Sequence, residues 1–268
     1  MTLITGSQGF IGSHLMKAIP GAIGIDNVDR GAKNNTIFTD LRDYSELFWK
    51  TKDLGIKTVF HQAAIPSVPA SYVDPIKTYA NNVTASLNLI KVCKIMGVEK
   101  FIFASSSSVL GPSPYGHSKK FIEEALKHCD MPYTVLRYFN VFGKGQRSNV
   151  ISIMYNHIKN DTQLEIFGDG ETTRDFSHIN NVITANLKAV GQRYNGQVLE
   201  VGTGEPHSLN MVYGMIRNKV NPTHNKISHG PDRIGDIKYS QAKTFLRPSE
   251  IVTFERGLNM WLEEMGHT

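Results

Sequence analysis

Tyr115-Gly116-His117-Ser118-Lys119 places a phenol and an ammonium four residues apart. On a helix, side chains at that spacing share one face. A neighbouring positive charge stabilises a phenolate and lowers its pKa from the usual ~10, which makes the tyrosine a general base for a hydroxyl proton. Taken alone, the pair is also what an ordinary helix surface carries. The apolar run before it ends in Ser105-Ser106-Ser107-Ser108. A hydroxyl at the C-terminal end of a parallel strand lies where α/β sheets hold their ligands, so a serine here can bridge Tyr115 and a substrate hydroxyl.

A second pattern stands at the start of the chain. Gly6-Ser7-Gln8-Gly9-Phe10-Ile11-Gly12 spaces glycines by three, after one apolar run and before a helical one. Glycines there allow a tight turn and close approach of a pyrophosphate to backbone N–H groups, with the helix dipole favouring negative charge. Asp26 ends the next apolar run, twenty residues after Gly6. A carboxylate at about that offset bonds the adenosine ribose hydroxyls and repels a 2′-phosphate, so the pattern predicts NAD rather than NADP. Asp40, closing the third run, is placed to reach the adenine amino group. A bound, positively charged nicotinamide would further favour the Tyr115 phenolate.

The elements that must position these groups alternate. Strands are expected at Thr2–Gly6, Ala22–Asp26, Asn35–Asp40, Thr58–Ala63, Lys100–Ser106 and Pro132–Asn140. Helices are expected at Phe10–Ala18, Asp43–Leu54, Asp74–Gly97 and Tyr115–Cys129. Such alternation specifies parallel βαβ units. In the long helix, Tyr79, Val83, Leu87, Ile90 and Met96 read as a sheet-facing stripe, with part of it available to a second subunit. Beyond Asn140 the pattern loosens: Val150–Lys159, Asn180–Val190, Leu209–Lys219 and Pro248–Met265 look helical, and Leu164–Gly168, Gln197–Gly202 and Lys226–His229 strand-like. The predicted fold is α/β, a Rossmann-type doubly wound parallel sheet with a small C-terminal α/β lobe. Residues 1–142 form the NAD-binding domain, to which some later segments return, and 143–268 mainly the substrate lobe.

Composition narrows the function. The 268 residues carry 29 Lys+Arg against 24 Asp+Glu, a formal charge of +5, with no long basic run, so a nucleic-acid partner is not expected. No apolar stretch reaches the ~20 residues of a membrane span, and no signal peptide is visible at Met1, so a cytoplasmic protein is expected. Cys93 and Cys129, without a CxxC pair, read as reduced thiols rather than a disulfide or metal framework. The small basic excess suits a pocket for an anionic small molecule.

Taken together, Thr5–Leu15, Ile25–Asn27, Asp40–Asp43, His61–Ala64, Asp74-Pro75, Asn81–Val83, Phe103–Gly111, Tyr115–Lys119, Arg137–Gly143, Phe167–Phe176 and Arg233–Asp236 resemble, in order, the motifs of the extended short-chain dehydrogenases/reductases of the epimerase/dehydratase family. Ser67-Val68-Pro69 after His61–Ala64, and Tyr239–Ala242, are similar to the UDP-sugar 4-epimerases (of UDP-glucose or UDP-N-acetylglucosamine), particularly those acting on UDP-N-acetylglucosamine. The resemblance implies a catalytic trio of Ser106, Tyr115 as base, and Lys119 holding Tyr115 and the nicotinamide ribose. It implies an NAD site of Gly6, Gly9, Phe10, Ile11, Gly12, Asp26, Asn27, Asp40, Leu41, Gln62, Ala63, Ala64, Asn81, Tyr115, Lys119 and Tyr138. Asn140, Arg174 and Arg233 match positions holding the UDP diphosphate and ribose, with Asp236 beside them, and two arginines on a diphosphate is what charge-assisted bonding demands. Ser240 matches a gate beside the sugar, where a small residue admits an N-acetyl group; otherwise it is a plain strand-edge serine.

The implied activity is NAD-dependent 4-epimerisation of a UDP-sugar by a homodimer. Dehydratases of the group carry an Asp-Glu pair just after the catalytic hydroxyl residue and decarboxylases a glutamate in that stretch, whereas this chain has Ser107 and Ser108. Alternatives are another NAD-dependent nucleotide-sugar enzyme (a dehydratase, decarboxylase or reductase) or a silent NAD- or nucleotide-sugar-binding protein, which would have no use for an activated tyrosine. The chain departs from the resemblance in length. Gly111-Pro112-Ser113-Pro114 joins the serine strand to the Tyr115 helix where the family usually has a loop of well over a dozen residues. A more open sugar site and looser discrimination are expected.

Overall fold

The computed structural model describes residues 1–31, 35–232 and 237–267. Seven of the apolar runs form one sheet. From edge to edge its strands are Gln197–Val201, Tyr133–Tyr138, Lys100–Ser106, Thr58–His61, Thr2–Thr5, Ile23–Asp26 and Thr36–Phe38. Strand Thr2–Thr5 pairs in parallel with Ile23–Asp26 on one side and Thr58–His61 on the other. Parallel pairing continues outward to Thr36–Phe38 and Lys100–Ser106. The order therefore reverses at the first strand, the doubly wound Rossmann arrangement, in which ligands bind beyond the carboxyl ends at the reversal. The register sets Phe103, His61, Thr5, Ile25 and Ile37 in one row. The next residues along, Gln62, Gly6 and Asp26 among them, emerge together at that end.

Two compact units make up the chain: Met1–Arg137 with Ile183–Leu199, and Tyr138–Val182 with Glu200–Thr268. In the first, Leu3, Ile25, Val59, Phe101 and Phe103 from the sheet pack with Leu47, Leu89, Val92, Cys93, Ile122 and Leu126 from helices Tyr44–Thr51, Ala85–Ile95 and Pro114–Lys127. In the second, Phe142, Tyr155, Phe176, Ile216, Phe254 and Trp261 centre a separate core. Its short strand pairs are Leu164–Phe167 with Ile227–Gly230, Thr173–Asp175 with Pro206–Ser208, and Val141–Phe142 with Ser177–His178. Cys93 and Cys129 are free thiols, and no helix among the described residues is long and apolar enough to cross a membrane.

Three expectations require correction. Asp74–Gly97 is not one helix: helix Pro75–Tyr79, started by the Asp74 cap, passes through a π turn at Ala80–Thr84 into helix Ala85–Ile95. The wider turn projects Asn82 into contacts outside its own helix, which a regular α-helix would aim elsewhere. The apolar stripe divides accordingly. Ile90 belongs to the core and Val83 and Met96 pack against it, but Tyr79 and Leu87 are exposed, and Leu89, Val92 and Cys93 complete the buried face. Finally, Pro248–Met265 is a 3₁₀ turn at Pro248–Glu250 and a helix at Phe254–Glu264. Between them the Asn181 side chain takes both backbone groups of Val252, at 2.8 and 2.9 Å, so those groups cannot enter a helical ladder.

Candidate active site

Gly6 adopts φ +68°, a conformation that favours glycine, and a Cβ there would meet Ala63 N at 2.9 Å. A Cβ on Gly12 would lie 2.0 Å from Gly6 O, so the turn closes onto the first helical residues with no room for side chains. Beside it opens a cleft lined by Gly6, Ile25, Asp26, Asn27, Thr39, Asp40, Leu41, Ala63, Ala64 and Asn81. Eight of these ten are residues the sequence assigns to a dinucleotide; Ile25 and Thr39 are additions. The Asp26 carboxylate accepts from Gln8 N at 2.9 Å and Val28 N at 3.1 Å, which fixes it at the cleft wall. Asp40 also lines the cleft and carries an ion pair that the sequence did not announce. Arg42 grips it through two donors, Nε at 3.0 Å and Nη2 at 2.6 Å, and holds its carboxyl below the usual range. A pinched glycine turn, a fixed carboxylate twenty residues on, and a cleft between them fit the phosphates, ribose and adenine of a dinucleotide.

The expected catalytic trio lies wholly in the first unit. Ser106 ends its strand and caps the 3₁₀ turn Ser107–Leu110, its Oγ accepting from Ser108 N at 3.1 Å. The same side chain stands near the Tyr115 phenol and acts to lower its pKa. The short link accomplishes this with local devices: Ser113 Oγ accepts from Gly116 N at 3.0 Å, and Pro114 is the first helical residue. Tyr115 thus sits in the first helical turn, where the helix dipole favours a phenolate. Gly116 is required, since a Cβ there would fall 2.0 Å from Ser108 O.

Electrostatics in the protein alone run against the expected activation. Burial pushes the Tyr115 phenol up to about 12, and the Ser106 side chain only partly offsets this. Lys119 is also buried, donates from Nζ to Ala104 O at 2.8 Å and lies 4.9 Å from the Phe103 ring centroid. Burial pushes its ammonium down to about 7, and nearby Glu123 raises it. Spacing placed the two groups on one helix face but said nothing of the dry surroundings that disfavour both charged forms.

Several residues around the trio carried no predicted role. His61 is fully buried with its pKa pushed down to about 3 by burial and by Lys119. Ser86 Oγ donates to Asn82 O at 2.6 Å, so it accepts from His61 Nε2 at 2.8 Å, and the other ring nitrogen accepts from Thr5 Oγ1 at 2.7 Å. Thr5 Oγ1 in turn accepts from Ala63 N at 3.2 Å, tying the His61–Ala64 segment to the glycine turn. Asn82 accepts from Ile65 N at 2.8 Å and donates to Ile65 O at 3.2 Å and Ser118 Oγ at 3.1 Å. Asn81 donates to Lys77 O, and Gln62 to Asn186 Oδ1.

In the second unit, Tyr138 is buried and Asn140 has φ +32°, a strained value that asparagine tolerates better than most residues. Its Nδ2 donates to Asp175 O at 3.0 Å. Arg174 donates to Thr173 O and Ile237 O, and Ser240 is buried beside the Thr173–Tyr239 bridge. Asp175, unremarked in the sequence, is a fully buried carboxylate accepting from Thr203 N and Oγ1, Gly204 N and Ala242 N at 2.8–3.0 Å. It fastens the 203–204 loop and the segment after Ser240 to the strand that carries Arg174. Arg233 and Asp236 lie outside the described residues.

Known proteins share this architecture. The UDP-glucose 4-epimerase of Pasteurella multocida (strain Pm70) is 29% identical over 328 aligned positions, taking in 99% of this chain and 96% of that protein. As this chain has 268 residues, at least 60 of those positions have no counterpart in it. The UDP-glucose 4-epimerase of Thermus thermophilus, solved in complex with NAD, matches with a TM-score of 0.90 at 26% identity, covering 99% and 98% of the two chains. The UDP-N-acetylglucosamine 4-epimerase of Methanobrevibacter ruminantium, in complex with UDP-N-acetylmuramic acid, matches with a TM-score of 0.86 at 31% identity and 98% coverage of both. A family profile described as NAD dependent epimerase/dehydratase matches residues 2–202. The chain belongs to the NAD dependent epimerase/dehydratase family, and NAD is its cofactor.

Proposed function

We propose that this enzyme interconverts the C4 epimers of a UDP-sugar, either UDP-glucose and UDP-galactose or their N-acetylamino counterparts. The observation that carries the reading is the buried Tyr115 in the first turn of its helix, with the side chain of the strand-end serine Ser106 near enough to act on its phenol and Lys119 one turn along the same helix. NAD, when bound, supplies a hydride acceptor that can return the hydride to either face of C4. The chain's own task is the proton. Tyr115 takes it from the 4-hydroxyl, Ser106 steadies that hydroxyl and the phenolate, and Lys119 contributes positive charge. Ser107 and Ser108 offer no acid–base pair for elimination, which favours epimerisation over dehydration.

Asn140, Arg174 and Arg233, with Asp236, are assigned to the diphosphate and ribose by their likeness to family positions. Ser240 is assigned to the sugar, where its small side chain leaves room for an N-acetyl group. The named relatives include epimerases of both sugar classes, which supports testing both. A homodimer is proposed through the segments bearing Val73 and Ile76, 87% and 81% exposed, and Phe121 on the adjoining helix. Tyr115→Phe should lower turnover of UDP-glucose or UDP-N-acetylglucosamine, followed by NMR of the C4 epimers, by at least ~10²-fold while NAD binding is retained. Undiminished turnover in that variant would overturn the assignment. No product from wild-type protein with either sugar would favour the silent binder.

A further inference from the structure

Tyr115, Lys119 and Glu123 continue one stripe along the same helix at four-residue intervals, and each engages the strand ending at Ser106. Tyr115 meets Ser106, Lys119 meets Ala104 O, and Glu123 accepts from Ser105 Oγ at 2.5 Å. Glu123 is 2% exposed and is also clasped by Arg137, Nε to Oε1 at 2.9 Å and Nη2 to Oε2 at 2.6 Å. A buried ion pair is a doubtful source of stability, because desolvating two charges offsets most of their attraction. Its position here suggests another use. Lys119 has a backbone carbonyl and an aromatic face as partners, neither of which carries the full negative charge a buried ammonium needs.

We infer that Glu123 is a positioning residue for the proposed reaction: its buried carboxylate, held by Ser105 and Arg137 one helical turn from Lys119, keeps the Lys119 ammonium charged where it is docked on the Ser106 strand. The inference rests on the reading of Tyr115 and Lys119 given above. The groups facing this cluster are few. From the helix come Tyr115 and Glu123, from strand Tyr133–Tyr138 Arg137, and from strand Thr58–His61 His61, which stays neutral because both ring nitrogens are satisfied in that form. Strand Lys100–Ser106 contributes only hydroxyls, a carbonyl and the Phe103 ring beside Lys119. Glu123 is the one anion acting on Lys119 among the described residues, and burial alone already brings that ammonium close to neutrality.

The two halves of the ion pair should therefore move Lys119 in opposite directions. Glu123→Gln leaves Lys119 and Arg137 as two cations without the anion between them, so the alkaline limb of the kcat profile, where the ammonium is lost, should fall by at least about one pH unit, a tenfold change in protonated fraction. Arg137→Gln removes the cation that competes with Lys119 for the carboxylate, so the same limb should rise. Glu123→Asp should restore most of the wild-type profile. The Lys119 titration is read independently in NAD-free protein by NMR of ¹⁵Nζ-labelled lysine, the resonance being assigned by its loss in Lys119→Met. A merely structural pair would lower Tm in both variants and leave both limbs in place, which would overturn the inference. Should Glu123→Gln not fold, Arg137→Gln and the milder Ser105→Ala, which leaves the carboxylate less engaged, must still raise the limb; an unmoved limb in either refutes the proposal. If Lys119→Met itself keeps full turnover, the underlying reading of Lys119 fails instead.

Discussion

Gly116→Ala tests whether the short link is what brings Ser106 and Tyr115 together. The added Cβ would stand 2.0 Å from Ser108 O, whereas an unstrained carbon–oxygen contact needs roughly 3.3 Å. Either the helix start or the 3₁₀ turn must retreat by about 1 Å. Ser106 and Tyr115 face each other across this seam, and the interaction between their hydroxyls weakens steeply as they separate. Overpacking of this kind costs about 1–3 kcal/mol, against which the better helix propensity of alanine returns at most ~1 kcal/mol. A Tm fall of a few degrees is expected, with a disproportionate loss in kcat of about 10²-fold, because a 1 Å misplacement of reacting groups has that order of effect. Differential scanning fluorimetry and NMR-monitored turnover of UDP-glucose and UDP-N-acetylglucosamine read the two effects separately. Gly214→Ala is the control: it also lies in a helix, but a Cβ there meets nothing within 4 Å, so it should be neutral or mildly stabilising. Wild-type Tm and kcat in Gly116→Ala would refute the claim that this seam aligns the site.

Two further outcomes follow from buried charges. Asp175→Ala strips the acceptor from three backbone N–H groups and a hydroxyl, so a loss of at least ~3 kcal/mol is expected in urea unfolding, with Asp175→Asn retaining part of it; a cost below about 1 kcal/mol would show that the two loops do not depend on this carboxylate. Lys100 is buried with Asn195 Oδ1 as its hydrogen-bond acceptor, and burial pushes its ammonium from 10.5 down to about 8. A folded-state value below the unfolded one means the unfolded chain binds more protons between those limits. Stability should therefore rise with pH from about 8 toward 10.5, the penalty being fully present below 8. Lys100→Met should raise Tm at pH 7 and remove that slope, and a Tm lowered at pH 7 would contradict the argument.

What the sequence made legible was local. The glycine turn, Asp26 and the Tyr115–Lys119 spacing each state their geometry within a few residues, and the cleft at Gly6, Asp26 and Ala63 is where that geometry leads. The stretches misread as single helices were broken from a distance. Val252 is held by Asn181, and the π turn directs Asn82 to Ile65 and Ser118, contacts visible only once the chain has folded. Glu123 was within reach, since it continues the four-residue spacing of Tyr115 and Lys119, but nothing along the chain announces that Arg137 and Ser105 converge on it.

Spacing also says which groups share a face without saying how wet that face is. A solvated Tyr-x-x-x-Lys pair would assist the phenolate at once; in this dry setting both charged forms are disfavoured, the phenol toward about 12 and the ammonium toward about 7. The arrangement is therefore incomplete as a base until positive charge is added above Tyr115 and retained at Lys119. A dinucleotide with a cationic ring can supply the first and Glu123 the second. In the reaction proposed above, the Tyr115 phenol should ionise when NAD is in place and stay protonated without it, which would couple proton removal to the presence of the hydride acceptor.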